Sequence, residues 1–193
     1  MENIILVGYG GHAKSIADCI ERLQKYKIVG YTDLEQYDSP YNYLGGDTIL
    51  RNYYNQGIKK AVVGIGYMGK GEVRQKLYEE LKSIGYSLPI IADPSAIISK
   101  SAQIGEGTFV GKGAIINAEA TIGKMVIINT KALVEHECIV GDYAHIAVAA
   151  VLCGQVEIGE NAFVGANATV IQGRKIVAHQ IVPAGSTVRL KDW

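Results

Sequence analysis

From Ile98 onward the chain places a branched aliphatic residue at every sixth position: Ile98, Ile104, Val110, Ile116, Ile122, Ile128, Val134, Val140, Ile146, Leu152, Ile158, Val164, Val170, Ile176, Val182 and Val188. All sixteen positions comply, an outcome expected by chance on the order of once in 10⁹ trials if a quarter of residues qualify. Four residues after most of them stands a small one, as at Ala102, Thr108, Ala114, Ala120, Ala132, Cys138, Ala144, Ala150, Ala162 and Ala168. Glycine often follows directly, at Gly105, Gly111, Gly123, Gly141, Gly159 and Gly165. A helix repeating every 3.6 residues cannot keep a period of six on one face. A triangular prism of parallel β-structure can, with one hexad per side and about 18 residues per coil. The aliphatic residues then point inward and the small ones fit the corners. Coils stack about 4.8 Å apart, so roughly 90 residues predict about five coils.

The first 90 residues follow a different rhythm. "NIILVG" (3–8), "KIVGYTD" (27–33) and "AVVGIG" (61–66) read as buried parallel strands. Between and after them, "HAKSIADCIERLQKY" carries Ile16, Ala17, Ile20 and Leu23 at helical spacing. "GKGEVRQKLYEELKSIG" puts Val73, Leu77 and Leu81 on one face, with Gly85 as a C-terminal stop. Alternating strands and helices predict a small Rossmann-like α/β domain over residues 1–90, followed by an all-β prism over 91–193.

Composition narrows the partners. Nineteen basic residues balance nineteen acidic ones and no polybasic run occurs, so neither nucleic acid nor an anionic membrane is expected as a partner. No apolar run approaches the roughly 20 residues of a membrane span. The three cysteines, Cys19, Cys138 and Cys153, lack metal-type spacing, which fits a cytoplasmic protein with reduced thiols.

Chemistry concentrates in "VEHECIVGDYAH" (134–145). On the six-residue rhythm Val134 and Val140 point inward and Cys138 fills a corner. Glu135, His136, Glu137 and His145 are left outside. An 18-residue coil stacks Ala118 below His136 and Gly154 above it. A base beside a bare backbone N–H is what acyl transfer needs, the one to take the proton of the attacking group and the other to hold the oxyanion. The flanking Glu135 and Glu137 are placed to fix the imidazole tautomer. A zinc site built from His136, His145 and His179 is the competing reading, but their spacing does not bring three ligands together. In the first domain "GYGGHA" (8–13) follows a strand and opens a helix, a loop suited to a phosphate. Asp33 closes the second strand where an acid meets a ribose hydroxyl. Alone this suggests NAD, yet only one mononucleotide half fits before residue 90. A glycine loop without any nucleotide also stays open.

The hexads resemble the left-handed β-helix of hexapeptide-repeat acyltransferases. With "VGYGGHAKSIADCI" the chain resembles the sialic acid O-acetyltransferase family, which includes the N-acetyltransferases of UDP-4-amino-4,6-dideoxy sugars. That resemblance implies a left-handed coil, a homotrimer with active sites between subunits, acetyl-CoA as co-substrate and no metal. It implies His136 as general base and Glu137 as its orienter. His145, Gly154, Asn129 and Thr130 fall at the oxyanion and acetyl-CoA side. Gly10, Gly11 and His12 fall to the sugar nucleotide's phosphate and sugar, Asp33 to its uridine, and Gly64, Ile65 and Gly66 to the same pocket wall. N-acetylation of a UDP-linked amino sugar is the leading expectation. O-acetylation of a sialic acid is the alternative, and a non-catalytic sugar-nucleotide-binding β-helix the reading from another class. The chain departs from the family in two places: a single acid in "YTDLEQYDSP", where paired aspartates are frequent, and a tail, "STVRLKDW", without the G-x-P-A-K ending.

Overall fold

The computed structural model describes residues 1–66 and 72–189. The start of the expected second helix (69–71) and the end of the tail (190–193) lie outside the described residues. The chain divides into two compact units, the first Met1–Ile91 and the second beginning at Ala92.

In the first unit β1 (Glu2–Val7), β2 (Tyr26–Thr32), β3 (Tyr43–Gly45) and β4 (Lys60–Val63) form one parallel sheet in the order β3-β2-β1-β4. Three strands were expected. The fourth, β3, is only three residues long, too short for any periodicity to show. Ile4 to Val7 of β1 are fully buried, as the unbroken apolar run requires of a central parallel strand. Helix α1 (Gly11–Leu23) packs through Ala13, Ile16, Ala17 and Ile20. A short α2 (Leu50–Asn55) follows a 3₁₀ turn at Asp47–Ile49. Helix α3 (Glu72–Ile84) buries Arg74, Leu77 and Leu81, whereas Val73 is 42% exposed. Leu77 and Leu81 thus hold the expected apolar face, but in its first turn Arg74 takes the inward position expected of Val73. Gly85 ends α3 at φ 113°, with its N–H and that of Tyr86 closing on Leu81 O.

The second unit is the predicted prism. Its three parallel sheets hold two-residue strands spaced by 18, such as Phe109↔Ile127↔His145↔Phe163 on one side and Ile115↔Leu133↔Val151 on the next. The six-residue aliphatic series and the small corner residues make one continuous core, from Val110 and Ala114 to Ile176 and Val182. The frequent glycines after the aliphatic residues also gain a reason: a Cβ on Gly141 would stand 2.7 Å from Glu160 N in the coil above. Stacked backbones leave no room there.

The corners carry a second series that the hydrophobic pattern does not show. From Gly107 to Gly185 every sixth residue has φ between 55° and 70°, and ten of these are not glycine, including Glu137, Tyr143, Ala149 and Gln155. Left-handed backbone costs roughly 1–2 kcal/mol per non-glycine residue. The coil offsets it with hydrogen bonds to the turn below, for example Glu137 N–H to Ala118 O (2.9 Å) and Gln155 N–H to His136 O (3.0 Å).

Candidate active site

Residues 135–138 turn the corner between the strands Leu133–Val134 and Ile139–Val140. Val134 and Cys138 point inward with no exposure, and burial pushes the Cys138 thiol up, a structural thiol rather than a nucleophile. His136 and Glu137 stay outside, their side chains 47% and 48% exposed. Positive φ at Glu137 accompanies a carboxylate turned back on the preceding ring, His136 Nδ1 to Glu137 Oε2, 2.9 Å. A carboxylate only accepts, so Nδ1 donates and the neutral imidazole keeps its lone pair on Nε2. Gln155, one coil above, donates its Nε2–H to the same Glu137 oxygen at 3.2 Å.

Glu135 has a different task. Its Oε2 accepts the backbone N–H of His136 at 3.1 Å and the amide of Asn117, one coil below, at 3.0 Å. The expectation of two ring-orienting carboxylates is corrected to one, because the residue before the turn's first N–H caps that N–H. Asn117 and Asn129 cap Ala118 and Thr130 in the same way.

Gly154 stands over His136. A Cβ built on it would lie 2.5 Å from His136 Cε1 and 2.6 Å from Nε2, so the ring fills the space any side chain there would need. Cys153, the preceding residue, carries no oxygen to cap the turn, and among the described residues the Gly154 N–H meets no acceptor. The corner therefore holds an imidazole with its free lone pair beside an uncommitted backbone donor.

His145 lies on another side of the prism. It faces outward next to the inward Ile146, yet is only 7% exposed, where the sequence pattern predicted an open residue. Its ring meets Phe163 edge-on at 5.1 Å, and Asn129 Nδ2 lies 3.3 Å from its Nε2. Asn129 Oδ1 accepts the Thr130 N–H at 2.8 Å. Within one chain Asn129 and Thr130 thus belong with His145 at one corner, and His136, Glu137 and Gly154 form another. The side between the two corners carries the aliphatic ladder Ile97, Ile115, Leu133 and Val151.

In the first unit the expected nucleotide residues do come together. Gly8 has φ 87° and a Cβ there would meet Ile65 Cγ1 at 2.7 Å, while one on Gly64 would meet the Ala13 Cβ at 2.6 Å. These two glycines let the loops after β1 and β4 pack closely. A Cβ on Gly66 would lie 3.5 Å from the His12 Cβ, an ordinary contact. Gly10 and Gly11 face open space, at the start of α1, which has no side-chain cap. Asp33 ties the loop down: Oδ2 accepts Tyr9 N–H and Oδ1 accepts Leu34 N–H, both at 2.7 Å. Burial first, and then the Arg74 guanidinium, push His12 down to about 4, so the imidazole is neutral near pH 7. Arg74 is 3% exposed, a buried cation beside the loop that the apolar pattern of α3 concealed. Among the described residues no three His, Cys, Asp or Glu side chains are grouped to hold a metal ion. Among them, too, no helix is long and apolar enough to cross a membrane.

Known proteins share both halves. Residues 3–81 match the PglD N-terminal domain family. UDP-N-acetylbacillosamine N-acetyltransferase of Bacillus subtilis (strain 168) is 38% identical over 120 residues, a match taking in 57% of this chain and 51% of that enzyme, about half its length. PerB of Caulobacter crescentus, solved with CoA and GDP-perosamine, is 35% identical at a TM-score of 0.93, over 98% of this chain and 89% of that one. The acetyltransferase domain of PglB from Neisseria gonorrhoeae FA1090, solved with acetyl coenzyme A, is 30% identical at a TM-score of 0.80, over 97% and 95%. An α/β unit and a left-handed parallel β-helix, aligned over nearly the full length of such relatives, place the chain in the hexapeptide-repeat amino-sugar N-acetyltransferase family.

Proposed function

We propose that the protein transfers the acetyl group of acetyl-CoA to the amine of a nucleotide-linked 4-amino-4,6-dideoxy sugar. The observation that carries this reading is His136, with Nδ1 held by Glu137 and Nε2 beside Gly154. The sugar amine attacks the thioester carbonyl carbon and passes a proton to Nε2. The Gly154 N–H receives the charge on the carbonyl oxygen. The tetrahedral intermediate expels the CoA thiolate, which takes the proton back from the imidazolium, so the acetamide and free CoA leave with the base restored. The glycine loop, His12, Arg74 and Asp33 serve the nucleotide. The Gly10 and Gly11 N–H groups at the start of α1 suit a diphosphate.

The active assembly in this reading is a homotrimer. The aliphatic ladder between the two corners is the kind of surface that a second copy covers. A cleft there takes His136 from one subunit and His145 from its neighbour, with acetyl-CoA between them. The relatives named above favour an amine over the hydroxyl of a sialic acid as acceptor.

The test is release of free thiol from acetyl-CoA, screened over UDP- and GDP-linked 4-amino sugars and sialic acids. Release with an amino-sugar nucleotide supports the proposal, and the screen shows whether uridine or guanosine is the accepted nucleoside. Release with sialic acid alone makes the protein an O-acetyltransferase. Tight sugar-nucleotide binding with no release from any acceptor makes it a non-catalytic binding protein.

A further inference from the structure

We propose that Gln155 is a positioning residue that holds the Glu137 carboxylate on His136 and shares its charge, so that the ring keeps its tautomer without being driven to the protonated form. This rests on the reading of His136 as the base. Gln155 stacks on Glu137 across one coil, and each has its backbone N–H bonded to the turn below. The two backbones are therefore fixed relative to one another, and the reach of the Gln155 amide to Glu137 follows from the 18-residue register. Facing a carboxylate, that amide must donate.

Glu137 Oε2 then serves two donors, His136 Nδ1 at 2.9 Å and Gln155 Nε2 at 3.2 Å. A carboxylate with one donor places all its attraction on the imidazolium. With two it places less on either. The second donor also restrains a side chain that is 48% exposed and free to rotate toward water. Asn117 is the counterpart below, but it acts through Glu135 on the backbone N–H of His136 and makes no contact with Glu137. The two polar ladders beside His136, 117–135 and 137–155, thus have separable effects.

The test compares pH–rate profiles of the wild type, Gln155→Met, Gln155→Glu and Asn117→Leu. Gln155→Met keeps the length and removes the donor. It should lower kcat about 5–10-fold, leave KM for both substrates unchanged, and move the acid limb of kcat/KM to higher pH. Gln155→Glu should move it further, since a second carboxylate joins the first. Asn117→Leu should lower kcat with the limb in place. A Gln155→Met limb that stays at the wild-type pH, or one that Asn117→Leu moves equally, overturns the inference. If Gln155→Met does not fold, Gln155→Ala removes the same donor without adding charge and carries the comparison. Full activity of His136→Ala would overturn the base reading itself, whatever the Gln155 variants show.

Discussion

Gly154→Ala is the substitution whose outcome the geometry fixes most tightly. The glycine does not have a left-handed φ, so alanine meets no backbone strain. Its methyl group meets the His136 ring instead, at 2.5 and 2.6 Å where ordinary contacts start near 3.4 Å. The ring has to move by roughly 1 Å, a displacement that can cost about 10²-fold in rate when it affects a reacting group. Because the side chain is 47% exposed, it can swing outward at about 0.5–1.5 kcal/mol for an off-rotamer angle, or roughly 1–6 °C in Tm for a chain of this size. Gly154→Ala should therefore lose at least ~100-fold in kcat for a small loss of Tm. Gly159→Ala is the control. Its Cβ meets backbone atoms Ala178 N and Val177 C, and it should cost about 1–3 kcal/mol of stability through overpacking. In His136→Ala, adding Gly154→Ala should cost no further Tm, because the clashing partner is gone. Thiol release and differential scanning fluorimetry on the four variants give both readouts. Wild-type kcat in Gly154→Ala, or an undiminished Tm penalty in the double variant, would refute the placement of the ring.

Two further outcomes follow from other parts of the molecule. Burial and then Arg74 lower His12 to about 4 in the folded state, against about 6.5 unfolded. Its contribution to stability is complete above about 6.5 and is lost as pH falls toward 4, so Tm should decline across that window, less in Arg74→Gln and least in His12→Asn. Leu133 stands in the middle of the aliphatic ladder between the two corners. Leu133→Glu should give a folded monomer by light scattering with thiol release reduced at least ~100-fold, whereas a trimer with full activity would place the shared cleft elsewhere.

The sequence carried the prism almost whole, because an inward residue every sixth position is set by burial alone and burial leaves a compositional trace. Val134, Cys138 and Val140 could be placed without coordinates, and so could Gly154 over His136. The left-handed corner series was hidden. Only four of its fourteen members are glycine, and hydrogen bonds to the coil below, not residue type, hold the others there. The division of labour between Glu135 and Glu137 was hidden for the same reason, since it depends on which turn N–H needs a cap. Asn117 and Gln155 were within reach by counting 18 from each glutamate, but only once both glutamates had known partners. In the first unit the glycine loop was legible from spacing, while its companions at Gly64, Ile65 and Gly66 came from the family resemblance alone. Arg74 was not: an apolar stripe predicts Val73 inward, and only the packing of α3 shows the guanidinium taking the inner position beside His12.

The central claim is that His136 Nε2 takes the proton of the attacking amine. Its most direct test is the single-turnover rate of thiol release in His136→Ala, measured with acetyl-CoA and the accepted amino-sugar nucleotide at saturation. The rate should fall about 10²–10⁴-fold with both substrates still bound. A variant that binds both and releases thiol at the wild-type rate would contradict the claim.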